Sequence, residues 1–384
     1  MRADECVPVC PPDLAVKLIT RHSPLAIHFG SLDTRLLQLK QGPTGWSVSA
    51  AEVVPGSGRT RHTGAAEKLA PFVQSRQTRG KDCLLSTSGE ELSVSLVPVD
   101  PQNRTRMQQT LKETALRSIT DAEGVAYRYL SLNESTEEEI ALANAREELL
   151  LIAVGQSELR RCSTALETMH LRPVSFEAAA FPLARTMQAL STDQEDPWGF
   201  LHLGMRHSLF GIMHGGEVRF LKTMQLNGER LMSTLEKALS RFEDADPDSV
   251  SRMLTGLQDE EEGEGEGHIV VDAAAVASVQ QKAIGHGTEV LHALRLEAEA
   301  LAQEVRACLR HFANRHRGAR LQDLKLAGFG AALPEVGTAL ENALALPTSI
   351  AQPFTELGIS APEEVLADQH QWCIPLGLAM RSVS

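Results

Sequence analysis

The chain has 384 residues, of which 42% are hydrophobic, 23% charged and 4% aromatic, with a net charge of −13. That length predicts two or three domains, and the composition excludes a wholly disordered chain and gives no support to an aromatic-rich base-stacking surface. The acidity argues against nucleic acid or an anionic membrane as the main partner, although residues 243–266 alone hold ten acids against Arg252.

Residues 1–20 read as a loose leader, without an apolar core for a secretory signal. Its Cys6 and Cys10 have no matching His or Cys pair nearby, and the six scattered cysteines fit a reducing compartment rather than a disulfide scaffold. No apolar run approaches the ~20 residues that span a bilayer. The first strong signal is the run Leu25 to Phe29, ended by Gly30 and followed by an alternating stretch from Thr34 to Leu39. A turn at residues 41–45 leads to a further strand near Trp46 to Ala50, which makes a β-meander.

Further strands are predicted at Glu91 to Val97, Glu147 to Gly155 and Arg172 to Phe176. Helices are predicted at Arg104 to Arg117, after a Ser157 cap, and from Ala178 to Leu190. The polar stretch Thr192 to Pro197 reads as a boundary. Beyond it the opening pattern recurs. Gly199 to Gly204 is again an apolar run closed by glycine, then come the strand Ser208 to Met213, a turn at 214–216 and the strand Val218 to Met224. His202 occupies the place of His28, so two similar lobes are predicted rather than a solenoid.

A helix over Gly228 to Phe242 precedes the acidic region, about 243–268, whose alternating glutamate and glycine from Glu260 to Gly267 predict a mobile insertion. It lacks the carboxylate spacing of a calcium loop. A long helix from Thr288 to Asn314, a strand from Asp323 to Ala327 ending in Gly328-Phe329-Gly330, a helix from Pro334 to Leu344 and a closing helix at Pro375 to Met380 complete the pattern.

A strand ending in glycine before a hairpin, present twice, resembles the phosphate-binding hairpins of the actin/Hsp70/hexokinase superfamily, and the strand–Gly-x-Gly–helix resembles its adenosine motif. Backbone amides of such turns hold phosphate oxygens. Within that superfamily the chain most resembles the PilM family of type IV pilus machines, with type II secretion L proteins and FtsA as further relatives. Ile27 to Arg35, Leu149 to Val154, Leu166 to Val174, Phe176 to Arg185, Gly216 to Phe220, Leu226 to Glu229, Leu301 to Arg306 and Leu326 to Pro334 match its motifs in order.

The resemblance implies an α/β actin-like fold, a duplicated ribonuclease H-like pair of lobes with inserted subdomains. The first lobe would span 21–197 with an inserted α/β subdomain at about 92–172, and the second 198–370. Residues 371–384 would return to the first lobe as a helix. It also implies a nucleotide cleft bounded here by Gly30, Ser31 and Arg35, by Gly204, Arg206 and Ser208, and by Glu304, Gly328 and Gly330. Glu304 reads equally well as the polar side of an amphipathic helix.

The chain departs from that family at all three parts of the cleft. Family members place an aspartate in both phosphate strands, where this chain has His28 and His202. A neutral imidazole offers hydrated magnesium no anionic oxygen. The hydroxyls of the second hairpin are replaced by Met205, Arg206 and His207, and Phe329 stands where the adenosine motif has its middle glycine. Two histidines without a third ligand do not make a zinc site. The expectation is therefore a degenerate ATPase without catalytic residues or metal, binding ATP and magnesium weakly if at all.

The functional expectation that follows is a scaffold at the cytoplasmic face of the inner membrane, in a type IV pilus or type II secretion-like complex. The family relation implies that it holds the cytoplasmic tail of a PilN-like bitopic protein in the groove beside the inserted subdomain. The membrane would be reached only through partners, and self-association is left open. An active ATPase or kinase of the superfamily, or an FtsA-like cytoskeletal protein, is the alternative.

Overall fold

The computed structural model describes residues 22–381 apart from 44, 57–60, 76, 88–91, 101–102, 132–146, 192–195, 225–227, 240–287, 317–318 and 334. The leader with Cys6 and Cys10 and the acidic insertion lie outside the described residues.

Two five-stranded sheets repeat one plan. In the first, β1 (Leu25–Phe29) lies between β2 (Asp33–Gly42) and β4 (Asp82–Thr87). The outer strands are β3 (Gly45–Pro55) and β8 (Arg172–Ala178). The second uses β9 (Trp198–Leu203), β10 (Ser208–His214), β11 (Glu217–Met224), β12 (Leu324–Ala327) and β13 (Thr348–Ile350), in the order β11-β10-β9-β12-β13. In both, the first three strands form an antiparallel meander and the rest join in parallel. The predicted duplication is present strand for strand, and the fold is the actin-like α/β pair of lobes.

Alternation sorts each sheet's side chains to two faces. Leu25, Ile27 and Phe29 pack with Ala65 and Leu69 of the helix Arg61–Gln74 and with Cys162 and Leu166 of the helix Gln156–Thr168. Ala26, Leu37 and Leu84 point the other way and meet Phe354, Ile359, Trp372 and Leu376. In the second sheet, Leu201, Phe210 and Leu326 pack on the helix Thr288–Arg315 through Leu294, Leu301 and Val305. Phe200 and Leu209 face the helix Ala180–Leu190 and Ile374. His28 and His202 fall on the Ala26 and Phe200 faces, turned toward the junction of the lobes.

A third, antiparallel sheet holds β5 (Leu92–Val99), β6 (Val125–Ser131) and β7 (Glu147–Gly155) in the order β5-β7-β6, backed by the helix Arg104–Ser118. This inserted unit ends at Gly155. The helix Gln156–Thr168 and β8 belong to the first lobe's layers, so the expected limit of 172 is too late. The expected second-lobe limit of 370 is also too late, because the short helices Pro353–Glu356 and Glu363–Ala367 already bury Phe354 and Val365 against the first sheet.

Two elements arise between residues 51 and 90, where periodicity predicts none. The helix Arg61–Gln74 carries Pro71 inside and buries Arg61 and His62, which blurs its amphipathic stripe. Ser157 does not cap its helix as expected. Gly155 holds the cap position, and Asp121 from another loop accepts the Ser157 amide at 2.9 Å. Where the helices Ala180–Leu190 and Cys373–Ala379 cross, a Cβ on Gly377 would lie 1.8 Å from the Pro182 carbonyl oxygen, so this contact requires glycine. Arg185 and Thr186 donate to the carbonyls of Gly377 and Cys373 at 2.6 Å each and fix the crossing.

Candidate functional site

The glycines that end β1 and β9 build the same turn. The Gly30 amide bonds the Asp33 carbonyl at 2.8 Å, and a Cβ on Gly30 would stand 2.7 Å from that oxygen. A Cβ on Gly204 would stand 2.4 Å from the carbonyl of His207, also three residues on. Beside the second turn, the helix Gly228–Leu239 begins. Its first two amides, of Gly228 and Glu229, donate to the carbonyls of Gly204 and Met205 at 2.9 Å each. Gly328 turns with φ 79° and ψ 177°, a region reserved for glycine, and a Cβ there would meet His202 and the Leu203 carbonyl at 2.8 Å. Gly330 packs equally close to Leu203. The structure thus sets Gly204 and Gly328 against His202, and Gly328 and Gly330 against Leu203.

The two hairpins differ in what fills them. Arg35, paired across the ladder with His28, is 2% exposed. Its Nε donates to Asp33 at 3.0 Å, Nη1 to Asp368 at 2.8 Å and Nη2 to Gln371 at 2.9 Å. Its carbon lies 4.9 Å from the Trp372 ring centre. That guanidinium, expected at the edge of a nucleotide cleft, is spent on partners within the protein. Ser31 is half-buried in the turn. Opposite, Phe329 is buried in an apolar cluster with Leu203, Met205 and Leu231, and its ring edge lies 3.0 Å from where a Gly228 Cβ would stand. Arg206 pairs with Glu229 at 3.4 Å, and the hydroxyl of fully buried Ser208 has no hydrogen-bond partner among the described residues. Glu304 sits half-buried on the helix Thr288–Arg315, one turn before Cys308; burial and then the Glu304 charge push that thiol up, against the pull of Lys222.

Between the hairpins lie His28, His202 and His370. Burial lowers all three, His28 to about 3 with help from His202, Arg35 and Arg61, and His202 to about 4 with help from His370. His370 falls to about 4, with Asp368 opposing the effect of burial. All three are neutral at pH 7. The Nδ1 of His202 and the Nε2 of His370 are buried without hydrogen-bond partners among the described residues. His370 is the member sequence reasoning misses, because a three-residue 3-10 turn carries no periodic signal.

These residues do not fit hydrated magnesium, which takes anionic oxygens. The carboxylates that the contacts bring here, Asp33 and Asp368, are held by Arg35. Elsewhere His62, Glu158 and Cys162 place possible ligand atoms within 4.8 Å of one another. Glu158 there accepts from Arg61 at 2.8 Å, Arg161 at 2.9 Å and Thr87 at 2.6 Å, and its Oε1 lies 3.0 Å from His62 Nε2. Burial opposes its charge, yet these partners hold its carboxyl at about 2. Two guanidiniums already occupy that carboxylate, so the cluster is an ion-pair lattice rather than a metal site.

Residues 272–383 match the family described as Type IV pilus assembly protein PilM. Among solved structures, a PilM-PilN type IV pilus biogenesis complex aligns at TM-score 0.66 over 95% of this chain and 100% of that one, at 17% identity. The chain is thus similar to PilM in its C-terminal third and in its fold. A Bacteroides thetaiotaomicron protein with actin-like ATPase fold aligns at 0.45, with 7% identity and coverage of 87% and 92%. MreB 5 of Spiroplasma citri bound to AMPPNP aligns at 0.42, with 10% identity and coverage of 93% and 95%. No curated protein matches significantly. No helix among the described residues is long and apolar enough to cross a membrane.

Proposed function

We propose that this chain is a non-catalytic, actin-like scaffold at the cytoplasmic face of the inner membrane, in a type IV pilus or type II secretion-like complex. It holds the cytoplasmic tail of a PilN-like bitopic partner, and its binding of magnesium and ATP is weak or lost. The observation that carries this reading is the pair of buried, neutral histidines at matching strand positions of both lobes. Phosphoryl transfer needs a metal held by anionic oxygens and a positioned base. His28 and His202 supply neither, while the similarity to the PilM-PilN complex spans 95% of the chain.

A tail needs only a groove and a strand edge, neither of which depends on metal ligands. The three-stranded sheet offers the strand edge, with β6 as an outer strand and half-buried Val125, Tyr127 and Tyr129 beside Met107. Two measurements test the proposal. Calorimetry with magnesium–ATP should show little heat, and the combined change His28→Asp, His202→Asp, Phe329→Gly should recover some binding. Micromolar affinity with turnover would instead favour an ATPase or kinase. Fluorescence titration with N-terminal peptides of bitopic proteins encoded nearby should saturate, and be abolished by charge placed at Tyr129; no binding to any tail would remove the scaffold's mechanism.

A further inference from the structure

The five residues Asp368 to Trp372 touch both halves of the cleft. On the first-lobe side, Arg35 donates to Asp368 and Gln371 and lies over the Trp372 ring, and Trp372 Nε1 donates to Asp368 Oδ1 at 2.8 Å. Both Asp368 oxygens are thereby used, and the turn is fixed to the hairpin of β1 and β2. On the second-lobe side, the amide of Gly328 donates to the His370 carbonyl at 2.9 Å. The amide points there because Gly328 adopts its glycine-only conformation against His202 and Leu203. Lys325 of β12 adds a second tie, reaching Glu356 at 2.6 Å.

We infer that Asp368–Trp372 is an intramolecular clamp that sets the angle between the lobes, with Arg35 as the residue that positions it. In a cleft built from two glycine turns, a ligand's phosphates would lie between the hairpins and draw them together. Here a guanidinium lattice on one side and one peptide hydrogen bond on the other already make that connection. The charge agrees: Asp33 and Asp368 outnumber Arg35, so this ion lattice presents a net negative charge to an incoming polyphosphate. The lobes are therefore held without a ligand. This inference concerns the cleft and stands whether or not the chain holds a PilN-like tail.

Hydrogen exchange on the full chain tests it. Asp368→Asn and the milder Gln371→Ala each loosen the first-lobe end. Each should raise exchange in Asp33–Leu37 and in Gly328–Ala331 by roughly tenfold or more, relative to the helix Arg61–Gln74. Arg172→Ala, which breaks an exposed pair with Asp82, should move neither. Magnesium–ATP added to the wild-type protein should leave both segments unchanged. Loosening confined to the first hairpin, or a nucleotide-dependent change at Gly328–Ala331 in the wild type, would overturn the clamp. Gln371→Ala removes one neutral hydrogen bond and leaves both ion pairs, so it reads the coupling even where Asp368→Asn fails to fold.

Discussion

The two hairpins share a backbone and differ in chemistry at matching register. β1 pairs His28 with Arg35 on one side and Ser86 on the other; β9 pairs His202 with Leu209 and Ala327. The first hairpin is filled by a buried ion lattice and the second by an apolar plug centred on Phe329. The same strand plan has thus been closed by two physical routes, and each route fails in its own way. An ion lattice fails when one partner is removed, because the remaining charges lose compensation; an apolar plug fails in proportion to the volume removed.

The largest expected effect is in the lattice. Arg35→Met should lower unfolding free energy by about 4 kcal/mol, since it strands Asp33 and Asp368. Converting the first hairpin to the chemistry of the second, with Arg35→Leu, Asp33→Asn and Asp368→Leu together, should return much of that loss in denaturant titrations. No recovery would mean that Arg35 acts through packing on Trp372 rather than through charge. Phe329→Ala comes next, at about 3 kcal/mol, with no dependence on pH.

Acid should separate the contributions by window. Histidine in an unfolded chain titrates near 6.5, while His28, His202 and His370 take protons only at about 3 to 4 when folded. Between those limits the unfolded chain binds more protons. The stability they contribute is therefore complete above about pH 6.5 and falls as pH drops toward 4, by up to ~1.4 kcal/mol per pH unit for each histidine. Glu158, lowered to about 2, adds its loss only below about pH 4.5. His202→Asn should make the upper window shallower in thermal melts, His28 and His370 still contributing, and leave the lower one intact. The smallest effect is expected for Arg206→Ala. Its pair with partly exposed Glu229 contributes about 0.5–1 kcal/mol, and its loss should not change the heat seen with magnesium–ATP.

What the sequence discloses here is what is local. Strand alternation, a glycine at each strand end and the apolar stripe of the long helix are read within a dozen residues, and they are enough to place both hairpins and the Gly328 turn. The clamp is not local. Arg35 and Asp368 are 333 residues apart, and nothing in either neighbourhood marks the pairing. Arg35 attracts attention as a cation in a phosphate hairpin, and only the fold shows that its donors are taken. Glu158 hides for a related reason: in the first turn of an amphipathic helix a glutamate suits solvent, yet here it lies at 0% exposure among Arg61, Thr87 and Arg161.

The return of residues 353–379 to the first sheet has a consequence for how the chain comes to be folded. One face of that sheet is covered early, by helices within the first 170 residues. The other, with Ala26, Leu37 and Leu84, is covered by Phe354, Trp372 and Leu376. At roughly 5–20 residues per second, the interval between synthesis of Arg35 and of Asp368 is about 20 s to a minute. In the part of it that follows synthesis of β8, the aliphatic face of the sheet lacks this cover. The first lobe is the first to begin folding and among the last to finish, and that half-built sheet is the species on which a chaperone would act.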